Sequence, residues 1–427
     1  MNPVIIIPVF ISAARTRTEG DDILTTYDHM TPMTQPGELP RCLDSLRAIR
    51  GVGPVIVLVA GDPKLGERAT KKVRQQVAHF TDMQIMVVGA AEQGLISQRM
   101  EQLGLGGMTS EIGLASYGAV RNLGLVVAQV LGYDAVVFLD DDVVVEDPDF
   151  LIKSVYGLGK MTRRGVPILA KTGYYLDEEG SYRAKDKDEW CDRNWEQGKA
   201  FNRWIEGAMH GKRLSRSNRV CGGCMTLHKE AFMRVAFDPW IARGEDLDYM
   251  LNLRMYGSDM WFDNTWWLHH LPPKTPSEGV RFRQDIFRWL YEYRKMEFSQ
   301  TQIDLLQVKP DSLEPYPGPF LREGVGKRIR RTAQLRAIAH PKERKAYLQA
   351  ASMAKTEATE YAESNCRRYF ELQYVWPQLM DRMGEDAVLR AVLLQSVTPE
   401  EEAPEQHEFL QGFDPGATGE VNLNIAD

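Results

Sequence analysis

Short apolar runs alternate with helical hydrophobic periodicities through the first part of the chain. Apolar, β-branched runs predict buried strands at 4–10, 55–59, 84–88 and 135–139. Apolar residues at three- and four-residue spacing predict helices at 39–49, 65–80 and 113–131. This alternation predicts an α/β fold in which helices cover both faces of a mostly parallel sheet. In such a sheet, ligands bind beyond the carboxyl ends of the strands.

Two stretches interrupt this alternation. Residues 12–37 form a long polar connection after the first strand, and residues 172–218 form an irregular, charged stretch that contains three tryptophans. Loops of this length are usually functional or disordered.

The pattern changes after residue 276. An aromatic and basic helix is predicted at 281–298, and several further helices at 327–394, with breaks near Pro341, Pro377 and Gly384. The last residues, 400–427, contain eight acids and no Lys or Arg, which predicts a solvated, disordered tail. We therefore expect three units: an α/β domain at 1–275, a helical region at 276–399, and an acidic tail at 400–427.

Composition narrows the class of protein. The 427 residues are 43% apolar and 26% charged, as in soluble globular proteins of two or three domains. The net charge of −7 argues against nucleic acid as a partner. No apolar run reaches ~18 residues, the first residues lack the features of a signal peptide, and five cysteines form no disulfide framework. A cytoplasmic location is the expectation.

Three consecutive aspartates follow the strand at 135–139. Asp140, Asp141 and Asp142 stand where this sheet type binds ligands, and like charges this close repel unless a cation lies among them. A hard divalent ion with oxygen ligands satisfies that requirement. Asp140 and Asp142 should point to the same side, because side chains alternate along a strand. The alternative is an acidic loop that caps the next helix.

A second acidic group lies at 243–248, where apolar spacing predicts a helix. Glu245 and Asp246 fall in its first turn, which the helix dipole favours on structural grounds alone. The functional interpretation is a carboxylate base that faces a second substrate.

The segment Trp266–His270 offers two further candidate groups. His269 or His270 is a candidate nitrogen ligand for the metal, although a histidine is more often structural. Trp266 and Trp267 offer flat faces to a sugar acceptor, or fill the core. The nearby CxxC at 221–224 has no second pair, but its two glycines, Gly222 and Gly223, would let the backbone approach a ligand closely.

Taken in order, these motifs resemble the family 2 glycosyltransferases and the wider GT-A fold. The resemblance covers roughly residues 1–273, and the matching segments are 4–9, 39–46, 119–122, 140–142 as a DxD motif, 222–232 and 244–248. It implies a nucleotide-sugar donor, a carbohydrate or other hydroxyl acceptor, and a divalent metal, Mn²⁺ or Mg²⁺. The reaction would be hexosyl transfer with inversion.

The resemblance also implies roles for individual residues. Asp140 and Asp142 would bind the metal with His269 or His270, and Asp246, beside Glu245, would be the base. The residues expected at the donor are Pro8, Asp62, Arg121, Asp140, Asp141, Gly222 and Gly223. Asp62 stands in for an acid that the family usually carries in another register after the second strand, and the 12–37 connection is not part of the family pattern.

Other functions remain open at this stage. They are a retaining glycosyltransferase of the same fold, a nucleotidyltransferase, and a catalytically inactive sugar-binding or scaffold protein. Residues 281–345 carry fifteen Lys or Arg against eight Asp or Glu, interleaved with aromatics. Such a segment would pack on the catalytic domain, join two subunits of a homo-oligomer, or contact an anionic membrane peripherally.

Overall fold

The structure is a computed structural model that describes residues 1–13, 27, 29–62, 64–185, 189–273 and 278–395. Most of the 12–37 connection and the whole 400–427 tail lie outside the described residues. Ten strands of the described chain form one sheet. They are β1 (Pro3–Ser12), β2 (Thr31–Pro32), β3 (Val55–Gly61), β4 (Ile85–Val88), β5 (Ala135–Phe138), β6 (Val143–Val144), β7 (Ala170–Leu176), β8 (Leu214–Arg216), β9 (Met225–His228) and β10 (Met260–His270).

The sheet has a parallel half and a mixed half. Its main order is β4-β3-β1-β5-β9-β7-β10-β6, with β2 beside β1 and β8 beside β10. The four strands from β4 to β5 are parallel, as are β7 and β10, whereas β9, β6 and β8 run antiparallel to their neighbours. The predicted α/β fold with a mostly parallel sheet is confirmed. The stretch at 172–218, predicted to be irregular, supplies β7, β8 and a helix.

Helices cover both faces of this sheet, and alternating residues of β1 show why. Ile5 and Ile7 belong to one hydrophobic core, whereas Val4 and Ile6 belong to the other. The helices before residue 276 are α1 (Leu39–Leu46), α2 (Gly66–Val77), α3 (Ala90–Gln102), α4 (Tyr117–Leu131), α5 (Phe150–Val155), α6 (Gln197–Met209), α7 (Lys229–Arg234) and α8 (Glu245–Met255). Helices α1, α2 and α5 pack on the core that contains Ile5 and Ile7, which we call the first core. Helices α3, α4, α7 and α8 pack on the second core, which contains Val4 and Ile6.

Most of the described residues after 277 are helical, as expected, and the connection at 300–324 is mainly irregular. The helices are α9 (Glu278–Ser299), α10 (Val325–Ala339), α11 (Arg344–Met353), α12 (Glu357–Asn365), α13 (Arg368–Gly384) and α14 (Ala387–Leu394). The breaks near Pro341 and Gly384 are confirmed, but the break at Pro377 is wrong, because α13 continues through it. A proline inside a helix costs about 3 kcal/mol. The apolar stripe of α13, with Trp376 and Leu379 fully buried, continues across Pro377 and offsets that cost.

The C-terminal helices share a core with the α/β part. The core on the second face extends from Val4 in β1 to Leu393 in α14. Inside it, the Nζ atom of Lys295 in α9 lies 2.8 Å from Asp238 and 2.6 Å from Asp248 of the α/β part, and all three side chains are buried. The boundary between the predicted units at 275/276 therefore crosses a continuous core, and the division itself stays a prediction.

The aromatic residues of α9 are part of this core. Phe282, Phe287, Trp289 and Tyr291 are each less than 10% exposed. This burial agrees with packing on the α/β part and leaves those side chains unable to contact a membrane. Among the helices that the structure describes, none combines the length and hydropathy needed to span a bilayer.

Candidate active site

The three aspartates follow β5 and lie beside the end of β10. Antiparallel pairing sets Val143 of β6 opposite His270 of β10, so Asp142 lies next to the imidazole. Helix α1 supports this arrangement, because the Arg41 guanidinium donates to the carbonyl oxygens of Asp142, at 3.5 Å, and Leu271, at 3.1 Å. A short strand and one arginine thus bring together groups that lie far apart in the sequence.

Asp140, Asp142 and His270 form a candidate metal centre. One ligand atom from each lies within 4.8 Å of the others, and Nε2 of His270 is 3.4 Å from Oδ2 of Asp142. The other carboxylate oxygen of Asp142 is buried and has no hydrogen-bond partner among the described residues. An unpaired buried carboxylate oxygen is costly, and a cation would satisfy it. Two carboxylates and an imidazole suit Mn²⁺ or Mg²⁺.

The three carboxylates have different affinities for protons. Burial, followed by repulsion from Asp142, raises the pKa of Asp140 despite the charge of Arg121. Burial and both neighbouring aspartates raise the pKa of Asp141 well above its ordinary value. Burial acts in the same direction on Asp142, but the charge and hydrogen bond of His270 outweigh it and lower the pKa of Asp142. Asp142 is therefore the carboxylate most readily ionised, as a direct metal ligand must be.

Of the two histidines proposed as metal ligands, His270 lies beside Asp140 and Asp142. His269 points away from His270, as alternate residues of a strand do. Its Nε2 atom lies 3.4 Å from the exposed Glu146 carboxylate, and its Nδ1 atom lies 3.3 Å from the carbonyl oxygen of Asp177. The ring of His270 instead stacks on Tyr175 at 4.6 Å. The prediction that either histidine completes the metal centre therefore narrows to His270.

Arg121 of α4 links the metal centre to the second acidic group. Its buried guanidinium donates to Glu245 at 2.9 Å, to the Gly222 carbonyl at 3.2 Å and to Asp140 at 3.3 Å. These charges raise the pKa of Arg121 despite its burial. Glu245 is itself buried and ion-paired, so its carboxylate orients Arg121. That leaves Asp246 as the more accessible acid of the predicted catalytic pair.

The Gly222–Gly223 loop separates Asp246 from Asp140. The backbone N–H of Gly222 donates to Asp246 at 3.1 Å, and that of Gly223 donates to the Tyr175 hydroxyl at 2.6 Å. A Cβ atom on Gly223 would lie 2.5 Å from the Asp140 carboxylate and 2.7 Å from its backbone nitrogen. A Cβ atom on Gly222 would lie 2.6 Å from Nη2 of Arg121, so a side chain at either glycine would crowd the site.

A cavity of about 590 Å³ opens onto these groups. The predicted site residues that line it are Pro8, Arg121, Asp140, Asp141, Asp142, Gly222, Glu245, Asp246 and His270. Those that do not are Asp62, Gly223, Trp266, Trp267 and His269. Gly223 still supports the site through Tyr175 and Asp140.

The two tryptophans proposed for the acceptor lie elsewhere. Trp266 is fully buried in the first core, where its ring lies 5.4 Å from Phe150, and Trp267 is half-buried against His269 at 5.5 Å. Neither tryptophan lines the cavity, and the fully buried Trp266 has no exposed face for an acceptor, whereas the acceptor role of Trp267 stays a prediction. Trp266, four residues before His270 on β10, is covered in the core by its packing against Phe150 of α5.

Comparisons with known proteins reveal only distant likeness. No family model and no curated protein match the chain. Among solved structures, it resembles mannosyltransferase PcManGT from Pyrobaculum calidifontis, in complex with GDP-Man and Mn²⁺, at 12% identity and a TM-score of 0.42, over 92% of this chain and 86% of that one. It also resembles GalNAc-T7 with UDP, GalNAc and Mn²⁺, at 12% identity and a TM-score of 0.35, over 79% of this chain and 57% of that one. A third similar structure is S. aureus TarS, at 11% identity and a TM-score of 0.33, over 83% of this chain and 55% of that one. Similarities this weak do not decide the function.

Several cavity residues escape the sequence analysis. Tyr175 donates to Asp140 at 3.0 Å, yet it lies in the stretch that was predicted to be irregular. The same stretch supplies two aromatic residues of the cavity lining, Phe201 and Trp204 of α6, whose ring centres lie 6.2 Å apart. The helical spacing of residues 197–205 was a usable signal for α6. Arg288 of α9 also reaches the cavity, and no local pattern marks it out from the other arginines of that helix.

Proposed function

We propose that the chain is a metal-dependent glycosyltransferase that moves a sugar from a nucleoside-diphosphate-sugar to a hydroxyl acceptor with inversion. One observation carries the proposal: a centre of two carboxylates and an imidazole shares a cavity with a separate carboxylate, Asp246, across the Gly222–Gly223 loop. A donor diphosphate needs the first group, and an acceptor hydroxyl needs the second.

Asp140, Asp142 and His270 would hold the metal. A divalent cation there neutralises the charge that develops on a diphosphate leaving group. Arg121 holds Asp140 in place through a hydrogen bond at 3.3 Å. Tyr175 fixes the other oxygen of the same carboxylate at 3.0 Å and stacks on His270, so both ligands have restricted orientations.

Asp246 would accept the proton of the acceptor hydroxyl. Its two carboxylate oxygens accept N–H groups of Gly222, at 3.1 Å, and Leu247, at 2.7 Å, which fix the side chain while it still borders the cavity. Asp246 contacts Gly222, Asp140 lies against the adjacent Gly223, and both acids border the same cavity, so a carboxylate separate from the metal centre can serve as the base that inversion requires. An acceptor hydroxyl between them would have a base on one side and the leaving group on the other.

Donor binding can be tested without knowledge of the sugar. A thermal-shift panel of nucleoside diphosphates, each with and without Mn²⁺, should give a metal-dependent rise in melting temperature for at least one nucleotide. Asp142→Asn should abolish that rise while its own unfolding temperature stays near the wild-type value. Glu146→Gln is the matched control, since this nearby acid is exposed and lies outside the cavity. A nucleotide effect that persists in Asp142→Asn contradicts the metal assignment.

A further inference from the structure

Arginines are a large part of the cavity wall. Six of them line it: Arg121, Arg183, Arg219, Arg243, Arg281 and Arg288. Arg121 is bonded to Asp140, Glu245 and Gly222, and Arg243 forms an ion pair with Asp285 at 2.8 Å. These two cations are satisfied by the protein itself, so neither needs a ligand.

Arg288 differs from both. It lies on α9 and is 5% exposed, and its Nε and Nη2 atoms are buried with no hydrogen-bond partner among the described residues. The guanidinium lies over the ring of Trp289 at 4.8 Å and borders the cavity. Burying a cation with unsatisfied N–H groups is costly, and a bound anion would compensate for it.

The guanidinium of Arg288 lies on the Asp246 side of the cavity. A Cβ atom on Gly244 would lie 2.1 Å from its Cζ atom, so the two residues are in direct contact. Gly244 caps α8, two residues before Asp246, and its positive φ of 77° suits a glycine there. Arg121, by contrast, bonds Asp140 of the metal centre as well as Glu245.

Arg219 adds a second unsatisfied donor in the same region. Its Nε atom is buried with no hydrogen-bond partner in the described part of the chain, and its guanidinium lies 5.4 Å from the centre of the Phe201 ring. Arg219, Arg288 and Asp246 all line the same cavity. Two arginines with N–H groups that have no partner among the described residues therefore share the cavity with Asp246.

The nearby acids compensate these cations only in part. Asp285 is engaged by Arg243. Glu292, one turn after Arg288 on α9, is buried, and its Oε1 atom has no hydrogen-bond partner among the described residues, so that oxygen does not bond Arg288.

We propose that the second substrate carries an anionic oxygen group, a phosphate, sulfate or carboxylate, that Arg288 and Arg219 bind beside Asp246. The inference rests on the proposed function, because it takes Asp246 as the side of the cavity that receives the acceptor. The planar fork of a guanidinium matches the oxygens of such groups, and charge-assisted hydrogen bonds are stronger than neutral ones. The C-terminal helical region would thus contribute to acceptor specificity through α9.

The test uses sulfate as the probe. Calorimetry at constant ionic strength measures sulfate binding to the full chain, first alone and then saturated with Mn²⁺ and the nucleoside diphosphate that gives the largest thermal shift. We expect sulfate to bind the nucleotide-saturated protein. Arg288→Gln should lower that affinity about tenfold or more, with nucleotide affinity unchanged. Arg288→Lys, which keeps the charge but loses the fork, should give a smaller loss.

Arg294→Gln is the matched control, because Arg294 lies on the same helix, pairs with Glu297 and Glu363 at the surface and does not line the cavity. Sulfate that competes with the nucleotide, or an Arg288→Gln variant with weakened nucleotide binding, would assign Arg288 to the donor phosphates and overturn the proposal. Absence of sulfate binding to the wild type would overturn it as well.

Failure of the proposed function gives a different result. If no nucleotide binds, the glycosyltransferase proposal fails, and the titration of the nucleotide-free protein still decides whether Arg288 forms an anion site. If Arg288→Gln does not fold, as judged by its melting curve, Arg288→Lys carries the test. Sulfate affinity equal to wild type in the lysine variant would then contradict the role of the fork.

Discussion

Asp246 is the single residue on which the proposed chemistry depends most. The variant Asp246→Asn keeps the shape and can still accept the N–H groups of Gly222 and Leu247, but it cannot take a proton. We expect nucleotide affinity to stay at the wild-type level and transfer to fall by ~10²–10⁴-fold. Parallel measurements of nucleotide binding and of initial transfer rates check this. Transfer near the wild-type rate would show that Asp246 only supports the glycine loop.

Gly223 gives a second test at the scale of one atom. In Gly223→Ala the new methyl group would lie 2.7 Å from the backbone nitrogen of Asp140, which has no room to shift. We expect a loss of stability of about 1–3 kcal/mol and loss of the Mn²⁺-dependent nucleotide effect. Urea denaturation measures the loss of stability, and the thermal-shift panel measures the nucleotide effect.

Gly94→Ala is the control for that substitution. Gly94 lies in α3, and a Cβ atom there meets nothing within 4 Å. An alanine inside a helix should be neutral or slightly stabilising, and it should leave nucleotide binding unchanged. Equal behaviour of the two variants would contradict the close approach of the loop to Asp140.

Individual site residues were predictable from the sequence to different degrees. The aspartates were, because a buried strand runs directly into them, and so was the glycine pair. His269 and His270 were not separable, because the choice depends on which of the two side chains points toward Asp142, and that follows from the register of β10 with β6, a strand far away in the sequence. Trp266 was proposed as an acceptor contact because it lies close to the histidines in the sequence. The sequence alone does not show that this side chain is buried in the core.

At the scale of elements, α9 joins the C-terminal helices to the α/β part through Lys295. Its Nζ atom bonds Asp238 and Asp248 within the core, and Tyr291 of the same helix donates to Asp238 at 2.9 Å. Lys295→Met would fill a similar volume and leave two buried carboxylates without their cation. We expect a loss of about 3–5 kcal/mol in the free energy of unfolding.

Urea denaturation measures that loss. Lys199→Met is the control, because Lys199 is 40% exposed and pairs with Glu196 at the surface, where a change of at most about 0.5 kcal/mol is expected. A loss below about 1 kcal/mol in Lys295→Met would mean that the buried cation is not what holds α9 in place.

The parallel half of the sheet was predictable because its strands are short, apolar and separated by periodic helices. The mixed half was not predictable, because β7, β8 and β10 pair across long sequence separations and β10 is interrupted by the polar residues 263–265. Helix α13 was wrongly divided at Pro377, since a local breaker signal does not include the burial of the apolar stripe around it.

At the scale of the molecule, the C-terminal helices do more than extend the chain. Helix α9 shares the core of the α/β part and sends Arg281, Asp285 and Arg288 to the cavity wall, while its aromatic residues face inward. Two of the basic residues at 281–345, Arg281 and Arg288, therefore form part of the cavity lining. Homo-oligomer formation and peripheral membrane contact through the same segment stay predictions.

The most direct test of the central claim is a screen of nucleoside-diphosphate-sugars for metal-dependent turnover. The purified full chain is incubated with each donor, with Mn²⁺ or with a chelator, and release of nucleoside diphosphate is measured. We expect at least one donor to be consumed with Mn²⁺ and none with the chelator, and we expect Asp142→Asn to be inactive. Turnover that survives the chelator or the Asp142→Asn substitution, or no turnover with any donor although nucleotides bind, would contradict the proposal of a metal-dependent glycosyltransferase.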